Sequence, residues 1–262
     1  MSDASSKPAP AIQRSPLGGG LAAILSLAAA GFIYLVIPVI AALILVVYPR
    51  LQGQSLKQIE TWLTTSVVAQ FFYVLLAEAL TMVVIFWLLK RFRWSWKTIG
   101  LIKPKWYHPL LGLATVVPYF VLYIAMAKLV SAVVPAFDIT QEQQIGFDSV
   151  HGILQLSLTF VSLVVLPPLV EEITMRGFLY TGLRKWLPRV LAALAVSTLF
   201  GAAHLSEGGE AGPLWIAALD TCILSLVLIG LREWTGNLWA GITLHATKNF
   251  VAFLALFIFT TR

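Results

Sequence analysis

Three short stretches of the 262-residue chain hold side chains suited to acid–base chemistry. The first is Pro167-Pro168-Leu169-Val170-Glu171-Glu172-Ile173-Thr174-Met175-Arg176-Gly177. On a helix, Glu172 and Arg176 lie four apart and can pair, while Glu171 turns about 100° away from Glu172. One carboxylate is then neutralised and its neighbour is left for other work. The second stretch is Leu199-Phe200-Gly201-Ala202-Ala203-His204, and the third is His245-Ala246-Thr247-Lys248-Asn249, in which His245 and Asn249 share a helix face. A free carboxylate facing two imidazoles and an amide suggests hydrolysis. Glu171 takes a proton from water, His204 helps to hold that water, and His245 and Asn249 donate hydrogen bonds to the oxyanion of a tetrahedral intermediate. Glu172 and Arg176 support Glu171 from behind. No Ser or Cys sits in an obvious nucleophile elbow, and the HExxH pair of zinc peptidases is missing. Glu171, His204 and His245 from separate helices could still ligate zinc. The plainer reading is that the charges mark the polar end of an apolar helix and that each His is a packing or hydrogen-bonding residue.

The elements that must position these residues follow from composition. The chain is 59% hydrophobic and 11% charged, against about 25% charged for soluble domains, and its mean hydropathy is +0.86. These values describe an all-α, polytopic membrane protein. Apolar runs predict about seven transmembrane helices: residues 21–48, 62–89, 109–134 with a kink at Pro118, 157–183 bent at Pro167-Pro168, 190–205, 214–231 and 237–259. Residues 1–20 read as a disordered polar tail and 21–262 as one transmembrane domain. A polar link is expected at residues 50–60, and residues 141–156 are expected to lie partly along the outer interface. The single cysteine, Cys222, excludes an intramolecular disulfide and reads as core.

The net charge of +6 does not point to nucleic acid, because the basic residues flank apolar spans. Lys90, Arg91, Arg93, Lys97, Lys103 and Lys105 fall in one loop among Trp94, Trp96, Trp106 and Tyr107, and Arg184, Lys185, Arg189 and Arg232 fall in loops on the same side. The loop with Asp138, Glu142 and Asp148 has no Lys or Arg. This asymmetry predicts a cytoplasmic N-terminus and an outward C-terminus, with a bacterial plasma membrane as the setting. At 1.5 Å per helical residue, Glu171 lies roughly 18 Å from the inner surface, His204 roughly 21 Å, His245 roughly 14 Å and Asn249 roughly 20 Å. All four can therefore meet near mid-membrane, where a charged side chain costs roughly 2.5–3.5 kcal/mol or more and usually marks function. Lys248 is expected to pair with Asp220 or Glu78. Glu78, Lys128 and Asp220 read as buried pairs or snorkelling groups, and His108 and His151 as solvated or interfacial.

Taken together, Glu171-Glu172-x-x-x-Arg176-Gly177, Phe200-x-x-x-His204 and His245-x-x-x-Asn249 resemble the CAAX-protease and bacteriocin-processing (CPBP, or Abi) family of intramembrane endopeptidases, which includes the type II CAAX prenyl endopeptidases. Trp96-Lys97-Thr98-Ile99-Gly100-Leu101 and Thr235-Gly236-Asn237-Leu238-Trp239-Ala240 are similar to it as well, so the likeness covers about residues 94–255. The resemblance implies a glutamate-dependent peptidase with an intramembrane cavity open to the cytosol. Glu171 becomes the water-activating base, His204, His245 and Asn249 its partners, and Glu172 with Arg176 the supporting pair. The implied substrates are CAAX-type tails, leader peptides or membrane-protein segments, in a lipid bilayer, with no cofactor or, alternatively, zinc. Two other functions fit the same residues: a non-catalytic immunity or scaffold protein that binds peptides in the cavity, and a proton-coupled carrier. The carrier lacks support from inverted repeats or paired broken helices.

Overall fold

The computed structural model describes residues 18–259 apart from 145, 148 and 149, so most of the polar tail, Lys7, Arg14, Asp148 and Arg262 lie outside the described residues. Among the described residues there is no strand. Among the described residues seven helices are long and apolar enough to cross a membrane: Gly19–Leu51, Val67–Phe92, Tyr107–Val133, Gly152–Leu183, Arg189–Gly209, Trp215–Thr235 and Trp239–Phe259. The protein is a multi-pass membrane protein, and these are its first to seventh spans.

Three boundaries differ from those expected, each for a local reason. The first span breaks at Val36, because Pro38 has no N–H to offer the Tyr34 carbonyl. The link after it is no simple connector. Ser55 and Gln58 form a reciprocal capping box that starts a short helix, Leu56–Thr65, and Ser66 then caps the second span at Val67. Residues 62–65, expected within that span, therefore belong to a separate amphipathic helix that buries Ile59 and exposes Leu56. The fourth span begins at Gly152, five residues before the expected Ser157, where the Gln155 side chain accepts from the His151 N–H at 2.6 Å. Residues 152–156 are thus helical. The third span runs through Pro118 as one helix.

The sixth span packs on the third, fifth and seventh, the seventh also touches the fourth, and the first leans on the second and on the end of the fourth. The third and seventh spans meet through Gly112. A Cβ there would stand 2.8 Å from Thr243 Cβ and 3.0 Å from Leu244 N, and would also meet the Ala240 carbonyl. Backbone cannot give way as a flexible side chain can, so Gly112→Ala is expected to destabilise the protein by about 1–3 kcal/mol. Thermal unfolding in detergent checks this, with Gly31→Ala, whose Cβ would meet nothing within 4 Å, as the neutral control.

The two ends of the bundle differ in charge and in packing. At one end, the loop after the second span docks on the start of the seventh: Leu238 N–H donates to Gly100 O at 3.0 Å, and Trp239 Nε1 donates to Ile102 O at 3.0 Å. Lys185 lies over Trp94, and Arg189 pairs with Glu233 at 2.7 Å. The basic loops therefore gather here. His108, expected to be solvated or interfacial, is buried within the protein at this end, and its Nδ1 accepts from Lys105 N–H at 3.2 Å. At the other end, Gln141 donates to Pro213 O at 3.2 Å and Gln144 N–H to Glu207 O at 2.8 Å, so residues 141–144 fold across the turn after the fifth span. Asp138 accepts from the hydroxyl and N–H of Thr140, which holds its carboxyl below the usual range and keeps this end negative.

Candidate active site

The site is built on an irregular stretch of the fourth span. Leu163 needs a donor four or five residues ahead, and both positions are prolines, Pro167 and Pro168, which have none. The chain responds with a wider π-helical turn at Val161–Val165, regains α-helix over Leu166–Glu171, and widens again at Glu172–Leu179. Such π-turns recur at functional sites. The carbonyl stranded at Leu163 is satisfied from the seventh span, where Asn249 Nδ2 donates to it at 2.9 Å. Asn249 was expected to donate to an oxyanion. One of its two amide hydrogens is instead taken by the backbone, and the other remains for the cavity that the residue lines.

This contact makes a two-step prediction. Asn249→Ala strands the Leu163 carbonyl and is expected to cost about 1–3 kcal/mol. Adding Pro167→Ala restores a backbone N–H four residues on and should recover part of that loss. Denaturation midpoints of the single and double variants check it, and a double variant no more stable than Asn249→Ala would contradict this role.

Glu171 and Glu172 stand side by side at the start of the second π-turn and face different surroundings. Glu172 is fully enclosed. Its Oε1 accepts from Arg176 Nη1 at 2.9 Å, with side-chain exposures of 1% and 0%, as the spacing predicts. The Arg176 guanidinium lies 4.1 Å from the centre of the Phe200 ring, a stacking that favours arginine. Gly241 leaves room for the other Glu172 oxygen, which a Cβ would meet at 3.2 Å. Glu171 is 21% exposed and lines the cavity.

His245 joins the two glutamates. Its Nδ1 lies 3.2 Å from Glu172 Oε1, and its Nε2 lies 3.9 Å from Glu171 Oε2. Glu172 already accepts from Arg176, so it reads as a carboxylate, and Nδ1 must carry the proton of this hydrogen bond. The neutral ring then turns an unprotonated Nε2 toward Glu171. His245 therefore cannot donate to an oxyanion, as expected of it, until it gains a second proton.

His204 is fixed by the same logic at the end of the fifth span. Its Nδ1 lies 2.7 Å from the Phe200 carbonyl, which can only accept, so Nδ1 bears hydrogen and Nε2 is free. That Nε2 lies 3.8 Å from Glu207 Oε1. Phe200 packs edge-on against both imidazoles, with ring centres 4.7 and 6.1 Å away. Glu207 was not singled out from the sequence, where it reads as part of a Gly-rich acidic turn. Its spacing of three from His204 was the available signal. Gln143 Nε2 donates to it at 2.6 Å. Lys248 pairs with Asp220 at 3.0 Å, the first of its two expected partners, and Tyr119 OH donates to the other Asp220 oxygen.

Glu171, His204, His245 and Asn249 all line one cavity of about 310 Å³, together with Glu207, Asp220 and Lys248. Glu78 lies apart from it, in a crevice of about 90 Å³ that reaches the other side of Glu171 between the first, second and fourth spans. Among the described residues no three His, Cys, Asp or Glu side chains are grouped to hold a metal ion. Of the zinc set considered from sequence, the two imidazoles turn their free nitrogens to different carboxylates, His204 Nε2 to Glu207 at 3.8 Å and His245 Nε2 to Glu171 at 3.9 Å.

No curated protein and no solved structure matches the chain. A family model does: that of the type II CAAX prenyl endopeptidases, Rce1-like, over residues 153–251. The matched region runs from the start of the fourth span into the seventh and contains every residue of the carboxylate–imidazole cluster. This chain therefore carries, at residues 153–251, a domain of the Rce1-like type II CAAX prenyl endopeptidase (CPBP) family.

Proposed function

We propose that the protein is an intramembrane endopeptidase that hydrolyses peptide bonds with water activated by Glu171. The observation that carries this reading is His245 held between two glutamates, one buried and charge-paired, the other facing a cavity within the spans. The family match supports the same reaction class.

In this mechanism Glu171 takes a proton from a water molecule as the hydroxide oxygen adds to the peptide carbonyl carbon. The proton can pass from Glu171 to Nε2 of His245 across the 3.9 Å between them. The resulting imidazolium is stabilised by Glu172 through Nδ1 and gains the Nε2–H it needs to face the oxyanion. The second amide hydrogen of Asn249 points to the same role. Collapse of the intermediate breaks the C–N bond, and the proton returns to the leaving amine. Arg176 stays paired with Glu172 throughout. His204, with Glu207, positions water or substrate in the same cavity.

The test is cleavage of a fluorogenic peptide panel, prenylated and unprenylated, by purified protein in detergent. Wild type is compared with Glu171→Gln and His245→Ala, with and without a zinc chelator. Cleavage lost in both variants and insensitive to the chelator supports the mechanism. Loss on chelation with recovery on added zinc contradicts it. Peptide binding without a product band favours a scaffold protein.

A further inference from the structure

Glu171 borders two spaces. One is the cavity it shares with His245, and the other is the crevice of about 90 Å³ behind it, between the first, second and fourth spans. An ionised carboxylate can accept about four hydrogen bonds, and among the described residues Glu171 takes none from the protein. Glu78, half-buried on the same crevice, likewise has no hydrogen bond or ion pair among the described residues. Two hydroxyls add to the polar lining. Thr174 is 0% exposed, and its Oγ1 has no hydrogen-bond partner. Elsewhere in the spans, Thr181, Thr221, Thr235, Thr243 and Thr247 each donate to the carbonyl four residues back. Thr174 lies in the π-turn at Glu172–Leu179 and makes no such bond, which leaves its hydroxyl to the crevice that the residue lines. The Tyr34 hydroxyl, from the first span, is buried on the same crevice and also has no partner.

Buried polar groups are hydrogen-bonded, to one another or to ordered water. A buried water needs two to four polar partners and on the order of 30 Å³ of space. The crevice meets both conditions, with two carboxylates, two hydroxyls and room for about three waters. We propose that it is a water site that holds Glu171 from behind, with Glu78, Thr174 and Tyr34 as positioning residues. The two hydroxyls donate to the water, and the water donates one hydrogen toward Glu78 and one toward Glu171. The Glu171 carboxylate is thereby held against rotation, with Oε2 kept toward His245 Nε2. No proton is transferred along this route, and the water acts by orientation alone. The role rests on reading Glu171 as the base. Tyr34 and Glu78 belong to the first and second spans, outside residues 153–251, so the site draws on parts of the chain that lie beyond the matched domain.

The test measures melting temperature and turnover of the full chain in detergent. Thr174→Val keeps the shape of the side chain and removes the hydroxyl. In a dry crevice that hydroxyl is buried and unpaired, so its loss leaves the melting temperature unchanged or raises it. In a wet crevice the change removes a hydrogen bond to water, and the melting temperature falls. A fall is the expected result, and Tyr34→Phe repeats the measurement should Thr174→Val fail to accumulate. With it, kcat is expected to drop about 10–10²-fold, the scale set by a misplaced reacting group, while KM is kept because the substrate lies in the other cavity. Thr174→Ser restores the hydroxyl and should restore kcat, even where the lost methyl group lowers stability. Glu78→Leu should lower kcat in the same way, and Glu78→Gln, which still accepts from water, should retain it. A melting temperature unchanged or raised in Thr174→Val overturns the water site. A lowered melting temperature with kcat unaltered overturns the positioning role. The melting measurement needs no turnover, so a wild type that cleaves no peptide, with the expected fall in Thr174→Val, would sink the endopeptidase reading and leave the water site standing.

Discussion

Replacing Glu171 with glutamine is expected to abolish measurable peptide cleavage while leaving the fold and its melting temperature near those of the wild type. The expected loss is about 10²–10⁴-fold in turnover, the range that a positioned general base supplies. Glutamine has almost the same volume, and Glu171 makes no hydrogen bond within 3.5 Å among the described residues, its distance to His245 Nε2 being 3.9 Å. Nothing structural is therefore left unpaired. An amide cannot take a proton from water at neutral pH, so the step fails at its origin. The informative quantity is the split between binding and turnover. Substrate affinity should change little, because the lost interaction belongs to the transition state and not to the bound peptide. Full activity in Glu171→Gln would rule out the mechanism. An equal loss of stability and activity would instead give Glu171 the role held here by Glu172.

Much of this site was legible in the sequence, because charges inside apolar runs stand out and helix geometry converts position into depth. Glu171, His204, His245 and Asn249 were placed by that means within one layer, and they do line one cavity. The i, i+4 pairing of Glu172 with Arg176, and Lys248 with Asp220, followed from spacing and from the cost of a lone buried charge. Less accessible was anything that depends on which atom of a side chain faces which neighbour. The proline pair announced a disturbed helix, but not that Asn249, 86 residues away, would supply the missing donor. The position of His245 was readable; its bond to Glu172, which decides its tautomer, was not. Hydropathy also has no means of separating a short capped helix such as Leu56–Thr65 from the span it precedes. The loop residues Gln143 and Glu207 carried no apolar pattern, and they entered the site only through the way two distant turns fold together.

The largest effect on stability is expected from breaking the Glu172–Arg176 pair. Both side chains are essentially inaccessible, so removing one leaves a charge buried without its counter-ion, at a cost of about 3–5 kcal/mol. Arg176→Ala and Glu172→Ala should each unfold in detergent at much lower temperature, or fail to accumulate in the membrane. Replacing both at once behaves differently. Glu172→Met with Arg176→Leu removes the two charges together and fills the volume beside Phe200 and Gly241 with apolar atoms, and exchanges of this kind are often neutral or stabilising. The double variant is therefore expected to recover most of the stability that either alanine variant loses. It should not recover cleavage, because His245 Nδ1 then has no carboxylate to fix its tautomer or to stabilise its protonated form. Melting curves and turnover measured on the same preparations separate the two contributions. Stability restored with activity still lost is the signature of a pair whose charge serves the chemistry of His245 and Glu171. Activity restored along with stability would reduce the pair to a packing element and remove His245 from its place between the glutamates.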